Sequence, residues 1–247
     1  MHYGQNGRIS QMSTLYLIRH GQASFGGEDY DNLSNLGRRQ ARMLGDFLLR
    51  SGIRFDACWS GTLKRQRQTA AEVRDCFDTS GLKMPDPEQT IALNEYDYES
   101  VLRTLIPVIL REEPAFRSEV DVMMSDRDAF QGVFARVMRR WASGCDDLDP
   151  TYTWSSFCGG VAAGIRNIME NYSGGCHVAV FTSGGPISAV VGTILELGPE
   201  KAVALSWQLV NASITRLKFS RGRIGLDTFN EKGHLERPGG NGMVTYR

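Results

Sequence analysis

Short apolar runs that end in chemically active residues are the feature that most constrains the fold of this chain. Residues 14–18 (TLYLI) are followed by RHG, and His177–Thr182 (HVAVFT) is followed by SGG. A third run, residues 55–59 (FDACW), is followed by SG. Runs this short and this apolar are typical of strands that are buried on both faces of a parallel sheet.

Helical patterns alternate with these runs, which predicts an α/β fold with helices on both faces of the sheet. The predicted helices cover residues 35–50, 62–77, 130–141, 157–172 and 186–197, with Ser34 as the first N-cap and Pro186 in a first turn. Residues 213–220 and 223–229 predict two closing strands. We therefore expect a three-layer α/β/α sandwich with a mostly parallel central sheet. A disordered leader would occupy residues 1–13, and residues 96–150 would form a helical lid inserted into a single domain of residues 14–247.

Charge and composition exclude several classes of protein. Lys plus Arg equals Asp plus Glu at 28 each, so the surface as a whole is not built for a polyanion, and no nucleic-acid partner is expected. No apolar run could span a bilayer, and the N-terminus lacks the apolar stretch of a secretory signal. The absence of such a run also means that no membrane partner is expected. The five cysteines form no C-x-x-C pair or zinc-like cluster, which favours reduced thiols in a cytoplasmic protein. Nothing in the sequence indicates an oligomeric state.

The residues that follow the strands predict a phosphate site. Ligands of α/β sheets bind beyond the carboxyl ends of the strands, where this chain places RHG, SGTLKR and SGG. Guanidinium groups bind phosphate in a bidentate manner, and helix N-termini and glycines offer close backbone N–H groups. A neutral imidazole can also attack phosphorus to form a phosphohistidine. His20 is therefore the candidate nucleophile.

Six segments, in order along the chain, resemble the histidine phosphatase (phosphoglycerate mutase-like) superfamily. LYLIRHGQAS carries the RHG signature; the others are DNLSNLGRRQA, SGTLKRQRQTA, LNEYD, NASITRL and FNEKGHL. The tripeptide RHG alone is weakly specific, but the ordered set is strong. The resemblance runs from Thr14 to about Leu235.

The resemblance implies roles for particular residues. His20 would be the nucleophile and Glu95 the acid and base, although Asp97 and Glu99 lie close enough in sequence to replace Glu95. The phosphate-binding residues would be Arg19, Gly21, Arg65, Ser183 and Gly184. No metal and no other cofactor is expected, since the guanidinium groups supply the positive charge.

The chain departs from the family pattern at Ser183. The family usually places a second histidine there, and His177 lies at the start of the same strand, at the wrong end of the sheet. Serine can donate a hydrogen bond but carries no charge, so Ser183 is interpreted as a phosphate contact, a helix N-cap, or both. Restoring a histidine should raise turnover if Ser183 only weakens the site, and should lower activity and stability if a ring does not fit the tight turn.

The expected function is therefore a phosphatase that hydrolyses a small phosphorylated substrate through a phosphohistidine on His20. A mutase is less favoured, because no sequence element guarantees that a phosphorylated intermediate is retained. Two alternatives stay open: a non-catalytic module that binds phosphorylated ligands, and a phosphatase that acts on phosphohistidine in proteins. The substrate itself is not indicated by the sequence.

Overall fold

The structure is a computed structural model. It describes residues 12–24, 31–144, 149, 152–220, 222–237 and 240–246. Most of the predicted leader, residues 1–11, lies outside the described residues. Ser13 was expected in that leader, but it already belongs to the first strand.

Six strands form one mixed sheet in the order β3-β2-β4-β1-β5-β6. The strands are β1 (Ser13–Arg19), β2 (Ala57–Ser60), β3 (Glu88–Gln89), β4 (His177–Thr182), β5 (Ile214–Ser220) and β6 (Arg223–Glu231). The four strands from β3 to β1 pair in parallel, and β5 and β6 complete the sheet in antiparallel pairs. The sheet is mostly parallel, as the sequence predicted. The short strand β3 was missed, because its two exposed residues carry no apolar signal.

The helices fill the two outer layers. They are α1 (Asn35–Arg50), α2 (Lys64–Thr79), α3 (Tyr98–Glu112), α4 (Arg117–Val122), α5 (Arg127–Ala142), α6 (Trp154–Asn171), α7 (Gly184–Ile194) and α8 (Pro199–Ser206). Ser34 caps α1, since its side chain accepts a hydrogen bond from the Gly37 N–H. Helix α7 begins at Gly184, two residues before Pro186, so the predicted start was wrong. Pro186 still lies in the first turn, where its missing N–H leaves no helical bond unmade.

The alternation of side chains along β1 separates two apolar cores. Tyr16 and Ile18 pack with α1 and α2 on one face of the sheet. Leu15 and Leu17 pack on the other face with residues of α3 and of α5 to α8. A strand that is buried on both faces is the reason for the continuous apolar run in the sequence.

The strand register brings three carboxyl ends to one edge of the sheet. Arg19 of β1 lies opposite Thr182 of β4, and Ser60 of β2 lies opposite Phe181. His177 instead pairs with Thr14 at the opposite edge, as expected from its place at the start of β4. In the described part of the chain, no helix is long and apolar enough to cross a membrane.

Candidate active site

His20 lies directly after β1, with only 7% of its surface exposed. Its Nδ1 lies 2.7 Å from the carbonyl oxygen of Gly21, and the Nε–H of Arg65 donates to its Nε2 at 3.2 Å. A carbonyl can only accept, and a guanidinium can only donate. The proton of the ring therefore belongs on Nδ1, and Nε2 carries a lone pair that faces the arginine.

The surroundings of His20 favour the neutral ring. Burial lowers the pKa of His20 well below its usual value, and the positive charges of Arg65 and Arg19 lower it further. The Gly21 carbonyl opposes this shift, but its effect is smaller. Neutral imidazole is the form that can attack phosphorus, so burial and charge both favour a nucleophile here.

Arg65 is the basic residue of α2 that reaches the site. Besides His20, its guanidinium contacts the carboxylate of Asp31 at 2.6 Å, and its side chain is only 11% exposed. Its neighbours Lys64 and Arg67 are exposed. The contact with Asp31 was not foreseen, because no sequence motif connects the loop after β1 to the start of α2.

Arg19 approaches from the side of α7 and α8. Its guanidinium donates to the carbonyl oxygen of Leu209, and its Nε lies 3.8 Å from the point that a Cβ on Gly184 would occupy. Arg19 also acts electrostatically on both His20 and Glu95, as Arg65 does. The two guanidinium groups, the imidazole and the carboxylate thus form one cluster.

Glu95 lies at the N-terminus of α7, where an anion is favoured. Both of its carboxylate oxygens accept from the N–H of Gly185, at 3.0 and 3.1 Å. Burial raises the pKa of Glu95, while the Gly185 N–H and the two arginines oppose the rise. A carboxylic acid that stays protonated to higher pH is suited to donate a proton.

Asp97, the alternative to Glu95, has a different role. Its exposed side chain caps α3 and accepts hydrogen bonds from the N–H and the hydroxyl of Ser100. These bonds lower the pKa of Asp97. Glu99 is also exposed, and Tyr98 is within hydrogen-bond distance of it. The geometry therefore favours Glu95 as the acid.

Gly21 orients His20 through its carbonyl, a role that the sequence did not predict. Its N–H donates to the Thr69 hydroxyl at 3.0 Å, so this donor already has an acceptor, and its carbonyl orients His20. A Cβ at this position would lie 2.4 Å from the carbonyl oxygen of Gly37 in α1. Glycine is required here because the backbone of α1 comes so close.

Ser183 is fully buried and faces Gln66, which is also fully buried. The Nε2 of Gln66 donates to the Ser183 hydroxyl oxygen at 2.8 Å and to the Leu93 carbonyl at 2.9 Å. Ser183 occupies the N-cap position of α7, but its side chain makes no capping bond. Gln66 thus fills the space beside Ser183, a contact that the sequence did not reveal.

His234, near the C-terminus, lies in the core and not in the cluster. His234 is buried, lies 3.0 Å from the Ala212 carbonyl through Nε2, and stacks on Phe47. Burial lowers its pKa to about 4. The Ala212 N–H and the Asn211 side chain in turn donate to the carbonyl oxygen of His20. These two hydrogen bonds fix the backbone of His20, the candidate nucleophile.

A separate apolar groove of about 450 Å³ lies far from this cluster. It is lined by residues of α6, α7, β5 and β6, including Phe219, and by Tyr172 directly after α6. Phe219 pairs with Ser13 at the start of β1, which is the opposite end of the strand from His20. None of the predicted site residues lines this groove.

The comparison with protein families assigns the chain to one superfamily. The model of the histidine phosphatase superfamily (branch 1) matches residues 15–147 and 125–232, which is most of the chain. The chain therefore belongs to the histidine phosphatase superfamily, whose members catalyse phosphoryl transfer.

Curated relatives of the chain include phosphoglycerate mutases. A 2,3-bisphosphoglycerate-dependent phosphoglycerate mutase of Bartonella henselae is 34% identical over 91 residues, which cover 34% of this chain and 43% of that protein. The chain thus matches less than half the length of this curated relative.

Solved structures share the fold at low sequence identity. A phosphoglycerate mutase from Bacillus anthracis aligns with a TM-score of 0.59 at 21% identity, over 92% of this chain and 96% of that one. A phosphoserine phosphatase from Entamoeba histolytica, in complex with phosphoserine, aligns with a TM-score of 0.59 at 19% identity, over 91% and 100%. YhfR of Bacillus stearothermophilus aligns with a TM-score of 0.61 at 16% identity, over 90% and 99%.

The contact between Gln66 and Ser183 generates a stability prediction. Ser183→His should destabilise the protein by about 1–3 kcal/mol, because the ring must displace a buried amide. Gln66→Ala opens that space, so the double variant should be more stable than the sum of the two single changes predicts, by at least about 1 kcal/mol. Urea unfolding of the four proteins measures this coupling.

Gln40→Ala provides the matched control. Gln40 is also fully buried, but its side chain accepts from the Gln22 N–H and donates to Met243 and Thr245, and its hydrogen bonds do not involve Ser183. Its combination with Ser183→His should be additive. If the effects of Gln66→Ala and Ser183→His on the free energy of unfolding were also additive, within about 0.5 kcal/mol, Gln66 would not restrict position 183.

Proposed function

We propose that this protein is a phosphatase that hydrolyses phosphate monoesters through a covalent phosphohistidine on His20. The observation that carries the proposal is the placement of His20, whose Nδ1 meets the Gly21 carbonyl and whose Nε2 faces the Nε–H of Arg65. A nucleophile, two guanidinium groups and a protonatable carboxyl group in one cluster are the components that phosphoryl transfer needs.

In the first step, the phosphoryl group of the substrate lies between His20 and the guanidinium groups. Nε2 attacks phosphorus while the bond from phosphorus to the ester oxygen breaks in line with the attack. Arg19 and Arg65 bind the equatorial oxygens, and the N–H of Gly184 at the N-terminus of α7 adds a donor. Glu95 gives its proton to the leaving oxygen, which departs as an alcohol.

In the second step, water takes the place of the alcohol. The Glu95 carboxylate accepts a proton from this water, and the water oxygen attacks phosphorus. The bond from phosphorus to Nε2 breaks, its electron pair returns to His20, and inorganic phosphate leaves. Glu95 is again protonated, so the cycle closes without a net change in the enzyme.

The positive charge in this mechanism comes from the two arginines, and no step requires a metal ion. Ser183, at the position where the family usually has a second histidine, carries no charge and is fully buried against Gln66, so no second imidazolium assists the transfer. Loss of one charged donor costs roughly 2–4 kcal/mol of transition-state stabilisation when it acts on a transferring group. We therefore expect measurable but modest turnover.

Mutase activity is the second candidate, because several relatives bear that name. A mutase must hold its phosphorylated intermediate while the substrate turns around, whereas a phosphatase must admit water. Transfer of the phosphoryl group to water rather than to phosphoglycerate would support the phosphatase. A purely binding module fits less well, because the Gly21 carbonyl orients His20 in the way that a nucleophile requires.

The phosphohistidine should be directly detectable on His20. Rapid acid-free quenching during turnover of a radiolabelled phosphate ester should trap up to one phosphate per chain, labile in acid and stable in alkali. His20→Ala should abolish both the label and turnover, because the attacking lone pair is lost. Thermal unfolding should show that the variant remains folded.

His177→Ala is the matched control for this experiment. His177 is partly buried at the opposite edge of the sheet, with its Nδ1 2.8 Å from the Tyr16 hydroxyl. Labelling of His20 should persist in this variant. Turnover that survives in His20→Ala would rule out the mechanism.

Glu95→Gln should slow the first step according to the leaving group. Single-turnover phosphorylation by ethyl phosphate should fall about 10²–10⁴-fold, because ethoxide needs a proton, and far less with 4-nitrophenyl phosphate, because nitrophenolate leaves without one. Since the pKa of Glu95 is raised, the wild-type rate with ethyl phosphate should fall as pH rises through that pKa. This decline should be absent from the pH dependence of the rate of the Glu95→Gln variant.

Asp97→Asn distinguishes the two candidate acids. This variant should keep the leaving-group dependence and the alkaline decline of the wild type, because Asp97 caps α3. The assignment of Glu95 would be contradicted if Glu95→Gln lowered the phosphorylation rate equally with both esters. It would also be contradicted if Asp97→Asn lowered the rate with ethyl phosphate selectively.

A further inference from the structure

Asp31, in the loop between β1 and α1, forms an ion pair with Arg65 of the catalytic cluster. Its Oδ1 accepts from Nη1 of Arg65 at 2.6 Å, and its Oδ2 accepts from the backbone N–H of Lys64 at 2.7 Å. The two residues of the pair are 34 positions apart in the sequence. No step of the proposed mechanism uses Asp31, so its contact with a phosphate-binding arginine needs an explanation of its own.

The carboxylate of Asp31 is held in place independently of Arg65. Helix α2 begins at Lys64, has Leu63 at its N-cap, and carries no acidic residue in its first turn. Leucine has no polar atom that could cap the helix. The Asp31 carboxylate takes this role from outside the helix, because it accepts from the first helical N–H, where an anion is favoured.

The two residues after Asp31 are also attached to α2. The amide of Gln68 donates to the side-chain oxygen of Asn32 at 2.9 Å and accepts from the N–H of Leu33 at 2.7 Å. The side chain of Leu33 is buried. Residues 31–33 are therefore fixed to the first two turns of α2, so Asp31 provides a fixed point for a side chain of that helix.

The guanidinium group of Arg65 bridges Asp31 and His20. Its Nη1 faces the carboxylate, and its Nε faces Nε2 of the ring at 3.2 Å. A guanidinium group is rigid and planar, so contacts at two of its nitrogen atoms fix the direction of the whole plane. The contact with the ring is long and its acceptor is neutral, whereas the pair with Asp31 is short and charged. The ion pair therefore contributes more to this orientation than the contact with the ring does.

We propose that Asp31 is a positioning residue for phosphoryl transfer, whose carboxylate holds the guanidinium group of Arg65 against Nε2 of His20. This inference rests on the proposed phosphatase function and adds a residue to its site. Asp31 acts through Arg65 and does not touch the substrate. Its side chain is 28% exposed and that of Arg65 is 11% exposed, so water screens this pair less than it screens a surface ion pair.

The position of Arg65 can be measured without turnover, by ¹⁵N–¹H NMR of its Nε–H group. The signal is identified by its loss in Arg65→Ala. Exchange of this proton with water should be at least about 10-fold faster in Asp31→Asn than in the wild type, because the charged hydrogen bond that restrains the group is lost. Asparagine still offers an oxygen to the N–H of Lys64, so α2 keeps its cap.

A double-mutant cycle tests whether Asp31 acts on the chemistry through Arg65. Single-turnover phosphorylation of His20 by 4-nitrophenyl phosphate should slow by about 10–10²-fold in Asp31→Asn, because a misplaced catalytic group costs this much. In the Arg65→Ala background, the same change should alter the rate by less than about 3-fold, since no guanidinium group remains to be oriented. Thermal unfolding of each variant checks that it is folded.

Asp86→Asn is the matched control. Asp86 also pairs with an arginine of α2, but this is Arg74, nine residues further along the helix than Arg65. The variant should keep the wild-type exchange rate of the Arg65 proton and the wild-type rate of phosphorylation.

Three results would overturn the proposal. The first is an unchanged exchange rate of the Arg65 proton in Asp31→Asn. The second is a loss of phosphorylation rate in Asp31→Asn that is equally large with and without Arg65, which would indicate a merely structural role. The third is faster phosphorylation in Asp31→Asn, because the carboxylate would then act mainly by repelling the phosphate of the substrate.

Failure of the proposed function would look different, because the wild-type protein would then not be phosphorylated by the ester at all. The exchange experiment still tests Asp31 in that case. Faster exchange of the Arg65 proton in Asp31→Asn, but not in Asp86→Asn, supports its positioning role, and equal exchange in all three proteins overturns it.

Discussion

The hydrogen bond between the ring of His20 and the carbonyl of Gly21 is the constraint on which the chemistry of this site depends. A carbonyl only accepts, so the bond fixes the ring proton on Nδ1 and leaves the lone pair on Nε2. Burial and two guanidinium groups also lower the pKa of the ring, which favours its neutral form. The same positive charges that would bind a phosphate in the proposed mechanism would thus also prepare His20 as its nucleophile, since both effects come from Arg19 and Arg65.

The fold maintains this bond by fixing the backbone on both sides of it. The carbonyl of His20 accepts from Asn211 and Ala212 of the segment before β5. The N–H of Gly21 donates to Thr69 of α2, and α1 packs so close that only glycine fits at position 21. Both helices of one outer layer therefore contact the residue that orients the imidazole. An active-site ring is positioned by packing as much as by its own hydrogen bonds.

The sequence predicted the parts of the site that depend on local pattern. Strand ends placed His20 and Ser183 at one edge, and the register of the family motif distinguished Arg65 from Lys64, which the structure leaves exposed. The contacts of Glu95 with Gly185 and of Gln66 with Ser183 could not be predicted in this way. Their partners are 90 and 117 residues apart, and no local pattern encodes such a pairing. The start of α7 was misplaced for a related reason, because the preference for proline in a first turn does not show that two glycines precede it in the helix.

The most direct test of this account is the protonation state of His20, read by long-range ¹⁵N–¹H NMR correlation of the imidazole at neutral pH. The account predicts a neutral ring with its proton on Nδ1, and no titration near the usual value of about 6.5. The His20→Ala spectrum identifies the signal by its loss. A proton on Nε2, or a charged ring at neutral pH, would contradict the assignment of His20 as a nucleophile held ready by Gly21.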